Sequence, residues 1–343
     1  MKFSMIGLPK SGKTTIFNAL THSYEKDKYR KENIKIVKVP DFRLDFYARV
    51  FNSKKIIYPE IEFHDYQGFD LKGEIKNADA YLITIRSFSN SNYPFSGPED
   101  LTTQLKVILE DFIINDLSIV ENRLKTLQKI SDRKIVDQNE IRVLEKCQEY
   151  LSDGKLLKPL ITDKSEMFYI QGFKLSTLKS YVICINISEG DIGKKDLDKF
   201  KRITDFCKVN KFELLFLSGG IEEELADLEA SEAREYMDAL GIKIPGIKKL
   251  IEKSFNALNL ITFYTAGEKE AHAWMLVHGK TSHEAAGKIH TDIQKGFIKA
   301  EIIHYLDFQR FDTISGVKKE GLFKLVGKDY IVEDGDYIVV RFN

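Results

Sequence analysis

The most constraining feature of the chain is residues 7–14, which read Gly-Leu-Pro-Lys-Ser-Gly-Lys-Thr. They match the pattern G-x-x-x-x-G-K-[ST] of a phosphate-binding loop. An apolar strand candidate (3–6) precedes them and a helix-like stretch (15–20) follows. In that setting glycines permit a tight turn whose backbone N–H groups point at an anion, beside the positive end of a helix. An ordinary strand-to-helix turn is the alternative, and the order of elements disfavours it. The segment predicts a nucleoside triphosphate site.

Each part of this loop has a predicted role. Lys13 would neutralise charge on the β- and γ-phosphates, and it is the residue assigned to catalysis. The Thr14 hydroxyl would bind Mg²⁺. The backbone would surround the phosphates through Lys10, Ser11, Gly12, Lys13, Thr14 and Thr15.

A second ligand for Mg²⁺ is expected at the end of a neighbouring strand. The strand candidate 61–65 ends in Asp65 and continues into a D-x-x-G motif that closes with Gly68. Asp65 would hold Mg²⁺ together with Thr14, and the Gly68 N–H would face the γ-phosphate. D-x-x-G alone is a weak signal, but its place after a strand and downstream of the loop makes it more specific.

Base recognition is expected from a later loop, residues 186–189, which follows the strand candidate 181–185. GTPases typically have N-K-x-D here, and the aspartate accepts two hydrogen bonds from guanine. Glu189 is one methylene longer and Ile187 replaces the lysine, so guanine would lose a well-placed partner. Asn186 and Glu189 are therefore predicted to face the base. A helix-capping loop is the alternative.

The amino-acid composition limits which other functions and partners the protein can have. Lys plus Arg (52) balances Asp plus Glu (52), so no general field attracts nucleic acid and a DNA partner is not expected. Three cysteines are too few for a disulfide framework. No apolar stretch is long enough to span a bilayer, and the N-terminus reads as a strand rather than a signal peptide. We expect a soluble, cytoplasmic protein without a membrane partner.

The pattern of apolar residues predicts three domains. Period-2 runs alternate with helix-like stretches over residues 1–99 and 155–258, as a mostly parallel α/β sheet requires. Between them, residues 100–154 show helical spacing and predict an inserted helical hairpin. From 259 to 343 the strand signals become short and turn-rich, which indicates a small α+β domain. These strand candidates are residues 261–265, 273–277, 301–305, 330–332 and 337–342. A basic stretch between Lys26 and Lys38 could contact RNA, although a solvated loop is the favoured alternative.

Together the motifs resemble the Obg-like ATPases, the YchF subfamily of the Obg GTPases. Residues 7–14, 39–45, 65–68 and 186–189 occur in that family's order. Further segments also resemble it, and they extend the likeness over nearly the whole chain: 220–228, 260–267, 285–292, 296–301 and 327–336.

The resemblance implies the fold class α/β: a GTPase-type P-loop NTPase domain with an inserted helical hairpin, plus a C-terminal β-grasp (TGS) α+β domain. It implies Mg²⁺ as cofactor, and ATP in preference to GTP because the family carries N-x-x-E. It implies that Ser218 and Gly219 form the loop that closes over the base. Ribosomes or ribosomal RNA would be the partners, in translation and stress responses.

Three departures from the family's pattern concern hydrolysis. No threonine stands between His22 and Val37, where the first switch has one. The second switch is shortened to residues 69–74, and Pro94 takes the place of a histidine. We therefore expect a slow ATPase or GTPase, with water as nucleophile and no residue assigned to orient it. A hydrolysis-deficient ribosome-interacting scaffold and a small-molecule kinase are the alternatives.

Overall fold

The computed structural model describes residues 1–22, 34–66, 73–130, 137–194, 198–311 and 313–343. Gly68 and most of the basic stretch lie outside these residues. The strands are β1 (Lys2–Gly7), β2 (Ile34–Lys38), β3 (Ile56–Ile57), β4 (Glu60–Asp65), β5 (Ala80–Arg86), β6 (Ser180–Asn186), β7 (Glu213–Leu217), β8 (Leu260–Ala266), β9 (Ala271–Val277), β10 (Phe297–His304), β11 (Lys324–Val326) and β12 (Asp336–Phe342). The helices are α1 (Lys13–His22), α2 (Phe42–Val50), α3 (Leu101–Gln128), α4 (Gln138–Ser152), α5 (Lys164–Ile170), α6 (Asp198–Val209), α7 (Gly219–Asp227), α8 (Ala230–Ala239), α9 (Gly246–Ala257), α10 (Ser282–Ile289), α11 (Thr291–Lys295), α12 (Tyr305–Phe311) and α13 (Ile314–Lys319).

Contacts divide the chain into two compact units. One unit comprises Met1–Lys35 and Glu62–Ser254, and the other comprises Ile36–Ile61 and Phe255–Asn343. The apolar pattern of the sequence places residues 36–61 in the P-loop domain, whereas the contacts group them with the C-terminal residues. Among the residues that the structure describes, no helix combines the length and the apolar composition of a membrane-spanning segment.

The first unit is built on a sheet in which five strands have the order β4-β1-β5-β6-β7. The pairs β4–β1, β1–β5, β5–β6 and β6–β7 are all parallel. β5 is buried along its whole length, as a central strand covered on both faces requires. Because parallel strands end at the same edge, the residues that close β4, β5 and β6 meet there: Asp65, Arg86 and Asn186.

The inserted helical hairpin is formed by α3 and α4. The first half of α3 packs on the sheet through Leu105 and Phe112, which belong to the core of β5 and β6. Its second half forms a separate core with α4, centred on Val120 and Leu144. The helix α3 therefore anchors the hairpin to the P-loop domain, and the predicted insertion is confirmed.

The second unit is an α+β domain around a mixed sheet of order β11-β10-β12-β8-β9-β3. The pairs β10–β11, β10–β12 and β8–β9 are antiparallel, and β12–β8 and β3–β9 are parallel. One core includes Ala285 of α10 and Phe263 of β8. The other joins α2 to the sheet through Tyr47 and Tyr264.

Strand ends in the second unit differ from the predicted pattern. A strand was expected at residues 330–332, but only an isolated bridge between Thr281 and Ile331 forms there. Val332 N–H donates to the Lys280 carbonyl at 3.0 Å, so this segment pairs with the loop before α10 instead of the sheet. The strand expected at 301–305 begins earlier, at Phe297, and Tyr305 starts α12.

Candidate nucleotide-binding site

The P-loop turns between Gly7, the last residue of β1, and Lys13, the first residue of α1. Its backbone enters the left-handed region twice, at Lys10 (φ 65°) and Gly12 (φ 90°). A Cβ atom at residue 12 would lie 2.0 Å from Asn186 Nδ2. The turn therefore requires glycine at this position for two independent reasons, backbone conformation and space.

The predicted phosphate and metal ligands lie together at the start of α1. Lys13 Nζ is 2.8 Å from Asp65 Oδ1 and donates to the Tyr66 carbonyl at 2.6 Å. The Thr14 hydroxyl donates to Asp65 Oδ2 at 3.0 Å. The Lys13 and Asp65 side chains are only 15% and 12% exposed, which strengthens their attraction. Hydroxyl and carboxylate oxygens are the hard ligands that Mg²⁺ takes in proteins, so these residues fit that ion.

Asn186 connects three loops of the site. Its Nδ2 donates to the Ser11 carbonyl at 3.1 Å, and its Oδ1 accepts from Gly219 N–H at 2.9 Å. The residue is 4% exposed. Because backbone groups engage both ends of the amide, Asn186 holds the P-loop and the Ser218–Gly219 turn in register in this structure.

Glu189 is exposed and begins a short 3-10 helix, Glu189–Asp191. Within this turn the Ser188 hydroxyl donates to Asp191 at 2.8 Å, and Lys199 lies 2.5 Å from the same carboxylate. Burial raises the pKa of Asp191, but the bonds from Lys199 and Ser188 outweigh burial and leave that pKa below its ordinary value. The turn is thus fixed by the Ser188–Asp191 bond and by Lys199 of α6, and Glu189 is exposed at its start.

One cavity of about 710 Å³ brings the two predicted loops together. Its lining includes all of residues 7–15 and the predicted base-side residues Asn186, Glu189 and Ser218. Asp65 and Gly219 join the site by their bonds to Thr14 and Asn186. Gly68 lies outside the described residues.

One wall of this cavity, the segment that follows β5, is not among the predicted site residues. Arg86, Phe88, Asn90 and Tyr93 contribute to it. Arg86 Nη1 donates to the Lys10 carbonyl at 2.9 Å, directly beneath the P-loop. The signal was available in part, because the sequence predicts a mostly parallel sheet, in which the carboxyl ends of the strands meet at the edge that carries the P-loop.

A P-loop whose lysine and hydroxyl meet a carboxylate from the adjacent strand occurs in P-loop NTPases, and fold and site together assign the chain to that class. Residues 260–343 match the family model YchF-GTPase_C, described as "Protein of unknown function (DUF933)".

Full-length relatives narrow the class further. The ribosome-binding ATPase YchF of Haemophilus ducreyi is 34% identical over 361 aligned residues, covering 100% of this chain and 99% of the relative. The protein of that name from Bacillus subtilis is 32% identical, covering 99% and 98%. The structure of the Schizosaccharomyces pombe YchF GTPase matches with a TM-score of 0.86 and 27% identity, covering 99% of this chain and 97% of that one. The chain belongs to the YchF family.

Proposed function

We propose that this protein binds ATP with Mg²⁺, hydrolyses it slowly and acts in association with ribosomes. The observation that carries the proposal is the group formed by Lys13, Thr14 and Asp65 at the mouth of the P-loop. A triphosphate would compete with Asp65 for the Lys13 ammonium, which is placed to neutralise charge on the β- and γ-phosphates. The N–H groups of residues 10–15 would donate to the same anion.

Thr14 and Asp65 would hold Mg²⁺. When bound, the ion neutralises charge on the phosphate oxygens and orients them. The contribution of the chain itself is to fix these ligands: Lys13 Nζ and Thr14 Oγ1 both contact the Asp65 carboxylate, so its orientation is set before the nucleotide arrives.

The base-side loop supports a preference for ATP. Glu189 stands where N-K-x-D has its aspartate, and Ile187 stands where that motif has its lysine. Both residues line the cavity. A longer carboxylate beside an apolar residue removes the paired hydrogen bonds that select guanine, which are worth about 1–3 kcal/mol.

The names of the relatives support the ribosome as the proposed partner. Those of Haemophilus ducreyi and Bacillus subtilis bear the name ribosome-binding ATPase and align over nearly the whole chain. By this relationship we assign the ribosome or its RNA as the macromolecular partner, and the cytoplasm as the place of action.

One observation favours a second candidate, a nucleotide-gated scaffold that does not hydrolyse. Among the described residues that line the cavity, Glu189 is the only carboxylate, and there is no histidine. Glu189 lies on the base side, so the described lining supplies neither a carboxylate nor an imidazole near the γ-phosphate to orient the attacking water. The hairpin and the second unit would then carry the function through ribosome contacts.

A titration of nucleotide-free protein with fluorescent ATP and GTP analogues in Mg²⁺, followed by phosphate release, tests both candidates. We expect micromolar ATP binding, weaker GTP binding and slow turnover. Lys13→Ala should abolish binding, and Lys125→Ala, which changes an exposed lysine of α3, should not. ATP binding without turnover would establish the scaffold instead. If neither nucleotide binds, the proposal is wrong.

A further inference from the structure

Arg86 is a buried cation beneath the P-loop. It is 4% exposed and closes β5 beside Asn186, its register partner on β6. Gln104 of α3 fixes its backbone, accepting from Arg86 N–H at 3.1 Å and donating to the Arg86 carbonyl at 2.9 Å. The side chain donates to two carbonyls, that of Lys10 from Nη1 and that of Phe88 from Nε, each at 2.9 Å. The guanidinium therefore has one defined position.

Its charge is not matched by a carboxylate. Among the described residues Arg86 forms no ion pair, and its Nη2 is buried without a hydrogen-bond partner. Its other neighbours are the rings of Phe88 and Phe95, whose centroids lie 4.5 and 5.7 Å from Cζ. Carbonyl dipoles and ring faces offset only part of the penalty for removing a cation from water. The arrangement is therefore incomplete without an anion.

The nucleotide cavity is the place where an anion can approach. Arg86 lines this cavity and bonds the carbonyl of Lys10, a residue of the phosphate-binding turn. Position 187, where N-K-x-D would supply a lysine, is isoleucine. Of the described residues that line the cavity, only Lys10, Lys13 and Arg86 are cationic, and the Lys10 side chain is exposed.

We propose that Arg86 is a positioning residue and the second internal cation of the nucleotide site. It holds the P-loop through the Lys10 carbonyl, and its charge adds to that of Lys13 in attracting the polyphosphate. This inference rests on the proposed function, because the anion it names is the nucleotide.

Calorimetric titration of ATP and AMP into nucleotide-free wild type, Arg86→Met and Arg86→Lys tests the proposal. Methionine keeps an unbranched chain of similar length but removes the charge, whereas lysine keeps the charge and loses the two-carbonyl geometry. Losing a charged interaction should weaken ATP binding by about tenfold or more, and AMP binding by less. Arg86→Lys should bind ATP more weakly than wild type but more tightly than Arg86→Met, because the charge remains whereas the paired bonds to the Lys10 and Phe88 carbonyls are lost. Arg123→Met, at an arginine that pairs with Glu140 in the hairpin, is the matched control and should bind like wild type.

Two results would overturn the proposal. Unchanged ATP affinity in Arg86→Met would show that the charge does not act on the nucleotide. If Arg86→Lys and Arg86→Met weaken ATP binding equally, and both nucleotide-free variants have a lowered melting temperature, the role of Arg86 is structural alone. Wild type that binds no nucleotide would instead refute the proposed function, so the two failures are distinguishable.

Discussion

At the scale of single residues, Gly12 shows how tightly the loops of the site interlock. Its φ of 90° belongs to the left-handed region, and the space where a side chain would begin is taken by the Asn186 amide. That amide in turn holds Ser11 and Gly219. A change at residue 12 must therefore displace all three loops.

We predict that Gly12→Ala abolishes ATP binding and lowers the free energy of unfolding by about 1–3 kcal/mol, through backbone strain and the clash with Asn186. Gly172→Ala is the matched control, because that glycine has no atom within 4 Å of its added Cβ and no positive φ. ATP titration and urea unfolding measure the two effects. Normal ATP affinity in Gly12→Ala would contradict the interlocked geometry.

A second residue-scale prediction concerns the choice of base. The double variant Ile187→Lys with Glu189→Asp restores N-K-x-D, so it should raise GTP affinity relative to ATP by about tenfold or more. Competition between labelled ATP and unlabelled GTP measures the ratio. The single variant Glu189→Asp distinguishes the effect of the shorter carboxylate from the effect of the added lysine. If neither variant changes the ratio, base selection resides elsewhere in the cavity.

At the scale of secondary-structure elements, the edge of the sheet opposite the P-loop carries a lysine in an unfavourable place. Lys179 immediately precedes β6, its Nζ donates to the Lys76 carbonyl at 2.5 Å, and it lies 4.9 Å from the centre of the Tyr81 ring. Burial lowers the pKa of Lys179 from 10.5 to about 8, against the attraction of Asp116 and Asp79. The folded state thus holds this proton less tightly than the unfolded chain does.

The sign of the resulting pH dependence follows directly. Between about pH 8 and 10.5 the unfolded chain binds more protons at Lys179, so this group increases stability as pH rises through that range. The effect should amount to about 3 kcal/mol at most. We expect wild type to gain stability relative to Lys179→Met between pH 8 and 10, as measured by urea unfolding. A parallel pH profile in the two proteins would contradict the lowered pKa.

Local elements were the part of the fold that sequence could predict. Short-range periodicity and turn chemistry predict the P-loop, its flanking strand and helix, and the two hairpin helices. Arg86 was missed because an arginine after an apolar strand has no local signature, and its role depends on β5 lying next to β1 and β6. The contact between Thr14 and Asp65 could be predicted, because the P-loop and the D-x-x-G motif each have a fixed place after a strand of the sheet.

At the scale of the whole molecule, the second unit is discontinuous in sequence. Tyr47 of α2 is fully buried, with its ring 5.1 Å from that of Tyr264 and 5.3 Å from that of Phe308. Asp41 caps α2 and accepts from the Tyr264 hydroxyl, and Arg43 donates to Asp334 at 2.6 Å. Sequence periodicity cannot show which core α2 joins, because the contacting residues are separated by more than 200 positions.

This arrangement predicts the minimal folded fragment. Residues 255–343 alone should lack cooperative unfolding, because removing α2 exposes the aromatic core of Tyr264, Phe308 and Tyr337. A fusion of residues 36–61 to 255–343 through a flexible linker should restore it. Dispersion of amide proton signals and thermal unfolding compare the fragment with the fusion. A folded fragment 255–343 would show that α2 is dispensable.

The discontinuity of the second unit also affects how the chain folds while it is being synthesised. As the chain is synthesised, α2 emerges about 190 residues ahead of the segment that completes its core. At roughly 5–20 residues per second this interval lasts about 10–40 s. Throughout it, the aromatic face of α2 has no native partner, whereas β1 and α1 can already pack with β4 and β5. Every nascent chain therefore carries an unburied aromatic helix until translation of its last quarter, which makes this helix the natural point for chaperone contact or misassembly.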